Sequence, residues 1–390
     1  MKPSRRLVFS FVLALAACGG DGTVPEPEPW DDPGTSEEFL GFDVMPEVEL
    51  RISDDGVAQL RANPREYVEA TLVYLGREFG PVGVRLKGQN SFLPIDEKPS
   101  FKVNINEYIP GATFYGLKDL TFNNMRSDPS MMHERLAYLV AREAGLAAPR
   151  CNHLLLTVNG QPYGLYANVE TVKPRMLAGY FADNKGSLFE ATDVDFTAAL
   201  VPRYELESGP DDRSKLSNLA EALTRQPPTA ALAAAQQYID LAHFQQYWAM
   251  ATIIGQFDAF PYSLPGDDYF VYDDPSSGKL QLLPWGMDET FLSAEFPPMQ
   301  TNSVLAAACK AVPSCLQGYV DATWDLLART EALGLEAERV RLRDELMPAM
   351  IADTRKPYPM EMVTEMQTQH GYFIRGRREI LTNSFPPATP

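Results

Sequence analysis

The residues best placed to do chemistry are acids at the ends of apolar elements. In the stretch 253–291, Asp258 follows an apolar run that includes Trp248, Met250, Ile253, Ile254 and Phe257. Asp267 and Asp268 directly precede a strand-like YFVY, and Asp288 follows a second strand-like segment, KLQLLPW. Carboxylates presented this way, with turns between them, can converge on a cation and a phosphate. Mg²⁺ asks for hard oxygen ligands and keeps several waters, so a few carboxylates suffice. The same acids could instead be turn residues and strand-end caps; the window alone leaves both roles open.

Bases that could face a phosphate lie earlier. VGVRLKG and SFKVNIN each carry apolar residues at every second position: Val82, Val84 and Leu86 in the first, Phe101, Val103 and Ile105 in the second. Strand side chains alternate between faces, so Lys102 points away from Phe101 and Val103. Arg85 and Lys87 share one face and could reach phosphate or form a solvated basic surface. A loop rich in turn formers, GQNSFLPIDEKPS, joins the two strands.

Other elements must position these groups. MPEVELRIS and YVEATLVYL read as strands, as does YGLKDLTFNN, which ends in Asn123 and Asn124. Asp128-Pro129 predicts a helix start, with Met132, Leu136, Leu139 and Val140 buried and Gly145 closing the helix after Ala144. Glu143 falls in the apolar arc of that helix and Glu134 almost opposite. A buried carboxylate wants a cationic partner, for which Lys102 is a candidate; a half-exposed Glu143 near a frayed helix end is the alternative. HLLLTVNGQPYGLYANVE is a hairpin about Asn159-Gly160 that delivers Glu170 at the end of its second strand. Residues 191–235 read as a polar, Ala-rich insertion with helices, 238–257 as a buried helix ending at Asp258, and 317–385 as mostly helical. Strands first and helices after them point to a two-lobed α+β protein.

The N-terminus carries an address. Lys2, Arg5 and Arg6 precede an apolar run from Leu7 to Ala17, and Leu15-Ala16-Ala17-Cys18 has the form of a bacterial lipobox. Residues 1–17 are therefore expected to be a signal peptide, and Cys18 the lipidated anchor to a membrane surface. Residues 18–40, rich in acids and prolines, read as an extended tether before a domain at 41–390. A net charge of −18 argues against nucleic-acid binding, which needs clustered bases. Cys309 and Cys315 could close a small disulfide loop in an oxidising compartment; free thiols or a bond to Cys151 are the alternatives. The absence of HExxH, GxSxG and GxxxxGK[ST] removes three common enzyme classes.

Five segments in order, VGVRLKGQNSF, KPSFKVNINEY, YGLKDLTFNNMRSDPSMMHERLAYLVAREAGL, VNGQPYGLYANVE and LLPWGMDETF, resemble the spore-coat protein H (CotH) kinase family. The resemblance runs from about residue 46 to 381. It implies an atypical two-lobed kinase-like fold, with a β-rich N-lobe over about 41–150 and a mainly helical C-lobe over about 151–390. It further implies γ-phosphoryl transfer from ATP, with Mg²⁺ or Mn²⁺, to Ser or Thr of a surface or envelope protein. Carried over by position, Lys102 grips phosphate, Asp258 serves the attacking hydroxyl, and Asp268 with Asp288 holds metal. Glu170 sits where the family also marks a strand end with an acid, and a structural salt bridge would explain it equally well. Two positions depart from the family. Where relatives read Trp-Asp-x-Asp/Glu this chain has Gly286, and where they commonly carry asparagine it has Asp268, so the site could keep its acidity by exchange. The rival readings are a pseudokinase that binds a surface partner and an assembly protein that binds divalent cations such as Ca²⁺ without turnover.

Overall fold

The computed structural model describes residues 30–385 except Pro33, Leu264 and Ala294. The expected signal peptide and Cys18 lie outside the described residues. Strands β1 (Glu47–Ile52), β2 (Val68–Tyr74), β3 (Arg77–Lys87), β4 (Ser100–Asn104), β5 (Asp119–Asn123), β6 (Cys151–Val158) and β7 (Gln161–Glu170) close into a barrel in the order β1-β2-β3-β4-β5-β7-β6. Only the β1–β6 pair is parallel. Alternation packs the barrel with Leu50, Leu72, Val84, Leu86, Phe101, Val103 and Phe122, all essentially inaccessible. The outer face is then set by register. Arg85 lies opposite Lys102 and Lys102 opposite Thr121, while Lys87 lies opposite Ser100 one row along.

A second, antiparallel sheet runs β11-β10-β8-β9, from β8 (Leu188–Ala191), β9 (Glu205–Ser208), β10 (Tyr269–Asp274) and β11 (Lys279–Pro284). The helices are α1 (Glu37–Leu40), α2 (Asp54–Ala62), α3 (His133–Glu143), α4 (Pro174–Leu177), α5 (Ser214–Leu223), α6 (Pro228–Ala235), α7 (Leu241–Ile254), α8 (Val304–Lys310), α9 (Pro313–Leu333), α10 (Leu335–Ala352) and α11 (Met360–Ser384). The chain is thus α+β. Among the described residues no helix is long and apolar enough to cross a membrane. The barrel takes in β6 and β7, so its last strand ends at Glu170. The segment 191–235, read as an insertion with helices, carries α5 and α6 and also β9, whose four residues leave too short a pattern to read.

One buried ion pair ties the end of α10 to the barrel. Lys98 Nζ lies 2.5 Å from Asp353 Oδ2, with side-chain exposures of 1% and 0%. Asp353 Oδ2 also accepts from Leu165 N at 3.0 Å, and the ammonium donates to Leu165 O at 2.8 Å. Cys309 and Cys315 are joined by a disulfide across a sequence separation of 6, and Cys151 is buried and free. Closing so short a loop is worth about 2 kcal/mol through the unfolded chain. Cys309→Ser/Cys315→Ser is therefore expected to lower the chemical-denaturation free energy by about that much, and an unchanged denaturation midpoint would refute it.

Candidate active site

The acid-bearing segments are stitched together by their backbones. Helix α7 opens on Asp240, whose carboxylate accepts from Ala242 N at 2.9 Å, and closes on left-handed Gly255, just before Asp258. Ala259 bridges to Asp267, Phe260 N donates to Asp267 O at 3.1 Å, and Trp285 N donates to Asp268 O at 3.2 Å. Gln256 Nε2 reaches Trp285 O at 3.0 Å, and Phe291 N reaches Ile254 O at 2.7 Å. Together these bonds bring Asp258, Asp267, Asp268 and Asp288 to one pocket of about 470 Å³, with Glu190 and Glu289 beside them.

The same pocket is also lined by bases. Arg85 and Lys87 come from β3 and Arg65 from the segment after α2. The turn at Gly88–Ser91 borders the pocket and is held by Arg65, which donates to Gly88 O. Asn124 fixes the same loop, its Nδ2 donating to Ser91 O at 3.0 Å and Lys98 O at 2.9 Å. Lys102 does not line this pocket. It lies across from Arg85 on the neighbouring strand, near Glu207 and Lys173, which pair with each other.

Lys87 is instead the lysine linked to the α3 acid. Its Nζ donates to Asn123 Oδ1 at 2.7 Å, and Asn123 Nδ2 donates to Glu134 Oε1 at 2.7 Å. Glu134 is 2% exposed, and its Oε2 finds no partner among the described residues. The assignment of the buried arc to Glu143 is thus reversed: Glu143 is only half-buried and lies 3.9 Å from Arg329. The physical reason is that α3 is enclosed on nearly every side, so one apolar stripe does not define its buried face. The helix also starts later than expected. Asp128 accepts from His133 N at 2.6 Å across an intervening turn. Glu170 is held by Arg150 at 2.6 Å and stands outside the pocket, so it is a structural ion pair.

Electrostatics follow from this enclosure. Burial, then Asp288, Asp267 and Asp258, pushes the Asp268 carboxyl far above the usual range. Burial likewise raises Asp288, with Lys87 and His133 pulling the other way. It lowers Lys87, against the attraction of Glu134 and Asp288. Glu134 is raised to about 8, by burial and then by Asp288. An unfolded glutamate ionises near its ordinary 4.5. Between those values the folded state binds more protons, so stability falls as pH rises. The buried histidines, depressed from 6.5, act in the opposite sense below that value. The melting temperature of the cation-free chain is therefore expected to drop from about pH 6.5 to 8, and less steeply in Glu134→Gln. Equal slopes in the two chains would remove Glu134 as the cause.

Gly286 has φ +55, and a Cβ built there would lie 2.0 Å from Asp268 Oδ1. The Asp268 carboxylate thus fills the volume that a side chain at 286 would need. Sequence reasoning missed Arg65, Glu190, Glu289 and Asn123. Of these only Asn123 left a trace, as the end of a strand whose alternation places it on the face of Lys102. A larger groove of about 820 Å³, between β1, β6 and the end of α10, has no Lys, Arg or His in its lining.

A family profile described as CotH kinase protein matches residues 84–321, a span that includes Arg85, Lys87, Lys102 and all four aspartates. The chain is similar to inner spore coat protein H of Bacillus subtilis, 24% identical over 202 residues, covering 48% of this chain and 54% of that one. It is also similar to an inner spore coat protein H-like protein of the same organism, 35% identical over 78 residues, covering 20% and 24%. The chain thus spans about half the length or less of these relatives. Among solved structures, the Helicobacter pylori proinflammatory kinase CtkA matches at 10% identity and a TM-score of 0.32, over 83% of this chain and 93% of that one. The Shewanella oneidensis HipA–HipB–operator complex matches at 12% and 0.32, over 86% and 73%. Likenesses this slight do not assign a fold.

Proposed function

Because the chain belongs to the CotH kinase family, we propose that it is an atypical, two-lobed kinase that transfers the ATP γ-phosphoryl group to Ser or Thr of an envelope or surface protein. In this reading the barrel with α3 is the small lobe, and the second sheet with the remaining helices is the large one. The observation that carries the proposal is the pocket's mixed lining, in which Arg65, Arg85 and Lys87 of the barrel region meet the carboxylates of Asp258, Asp267, Asp268 and Asp288. A triphosphate with divalent cations has matching polarity: phosphate oxygens suit the bases, and metal ions suit the acids.

Lys87, with Arg85 and Arg65 beside it, takes the phosphate-gripping role first given to Lys102, because Lys87 lines the pocket and is set by the Asn123–Glu134 link. The carboxylates of Asp268 and Asp288 would hold Mg²⁺ or Mn²⁺. Their crowding and raised pKa values fit a cation, which relieves the repulsion between them. When bound, the metal supplies charge neutralisation along the phosphates. Asp258 accepts the proton of the attacking hydroxyl. The Asp268 carboxylate fills the space beside Gly286, which supports an exchange of one acid for another between these two positions. Export with a lipid anchor at Cys18 belongs to the same proposal, and the spore-coat relatives favour an envelope setting.

The test is transfer of label from γ-labelled ATP, with Mg²⁺ or Mn²⁺, to the chain itself and to an envelope extract. Asp258→Asn is expected to keep nucleotide binding and lose at least about a hundredfold in transfer. Transfer undiminished in Asp258→Asn would reject its role as base, and no transfer by the wild type would reject the activity.

A further inference from the structure

Asp288 lies in a turn that belongs to no helix or strand, so no ladder of backbone bonds positions it. A side chain does so instead. His133, the fully buried first residue of α3, brings Nδ1 to 2.8 Å from the Asp288 carbonyl oxygen and 3.2 Å from Asp128 Oδ1. Both neighbours are acceptors, so Nδ1 carries the hydrogen and donates. The imidazole is itself braced. Asp128 takes the His133 backbone N–H at 2.6 Å, and the His370 ring of α11 sits edge-on at a centroid distance of 5.0 Å. His370 in turn stacks on Phe291 at 4.2 Å, which closes a packed cluster behind the acid turn.

We propose that His133 is a positioning residue for Asp288, its Nδ1–H holding the Asp288 carbonyl against the helix that carries Glu134. One imidazole then couples the two sides of the pocket. The residue after it reaches Lys87 through Asn123, and its own ring fixes the backbone of the metal-side acid. The inference deepens the reading above, since its metal consequence rests on Asp288 being a ligand. Its structural consequence, a turn held by a side-chain donor, does not depend on that reading.

The experiment therefore has two readouts on the full chain. Mn²⁺ affinity is followed from the free-ion electron paramagnetic resonance signal, and amide hydrogen exchange is followed across residues 287–290. His133→Phe keeps an aromatic ring against His370 but has no donor, whereas His133→Asn places an amide N–H near the Nδ1 position. Mn²⁺ affinity is expected to fall tenfold or more, on the order seen when a hydrogen-bond partner of a metal ligand is lost, in His133→Phe and to be largely kept in His133→Asn. Exchange across 287–290 is expected to quicken only in His133→Phe. Wild-type affinity and exchange in His133→Phe would overturn the proposal. If no variant and not even the wild type binds Mn²⁺, the metal reading falls, and the exchange comparison alone decides whether His133 holds the turn. If His133→Phe does not fold, His133→Asn is compared with His133→Gln, whose amide reaches the Nε2 position, and equal exchange in the two would overturn the proposal.

Discussion

With ATP and Mg²⁺ or Mn²⁺ the wild-type chain is expected to melt at a higher temperature, and Lys87→Ala and Asp268→Ala are each expected to abolish that rise. A ligand at a hundredfold excess over its dissociation constant stabilises the folded state by about 2.7 kcal/mol, large enough to read in a thermal scan. Lys102→Ala is expected to retain most of the shift, since Lys102 lies outside the pocket lining. The reverse result, loss in Lys102→Ala and retention in Lys87→Ala, would restore the role read from the sequence and dismiss the one read from the pocket. The exchange between positions 268 and 286 gives a sharper version. Gly286→Asp alone forces a Cβ to 2.0 Å from Asp268 Oδ1 and is expected to lose both the shift and stability. Asp268→Gly/Gly286→Asp removes the obstruction and returns one carboxylate to nearly the same volume. Recovery of the metal-dependent shift in the double variant, and not in either single variant, is the expected signature. A double variant as inert as the singles would show that the two positions are not interchangeable.

The largest effect on stability is expected at Asp353. Asp353→Ala leaves the Lys98 ammonium buried with only the Leu165 carbonyl as a hydrogen-bond partner. Stranding one member of a buried ion pair typically destabilises by about 3–5 kcal/mol, whereas replacing both with apolar residues is often neutral. Lys98→Met/Asp353→Leu is therefore expected to recover much of the loss suffered by Asp353→Ala, as read from chemical denaturation. The site is shaped for the carboxylate. A Cβ on Gly164 would meet Asp353 Cγ at 2.1 Å, so the strand admits this acid because its neighbour is glycine. A loss below about 1 kcal/mol in Asp353→Ala, the size of a surface ion pair, would show that Lys98 finds water or another partner.

Much of the scaffold was legible because its signals are local. Alternation in β3 and β4 assigned Lys102, Arg85 and Lys87 to the outer face, and Asn159-Gly160 marked the β6–β7 hairpin. Acids at the end of α7, before β10 and after β11 could be read either as a convergent set or as turn and strand-end caps, and the backbone bonds of the site bring them to one pocket. The choice among candidates was not legible. Lys87 and Lys102 share a face, and only the seating of the second sheet and α3 against the barrel puts one of them in the pocket. Glu134 and Glu143 were ranked by a one-sided helix rule, and the helix is enclosed on nearly every side. Lys98 and Asp353 are 255 residues apart, and nothing in either neighbourhood announces the other. Which residue types stand at which ends of which elements could be read along the chain, because alternation, turns and caps depend on near neighbours. The tertiary structure alone decided which charges face each other and which backbone yields room for a carboxylate, because those outcomes depend on packing between segments distant in the chain.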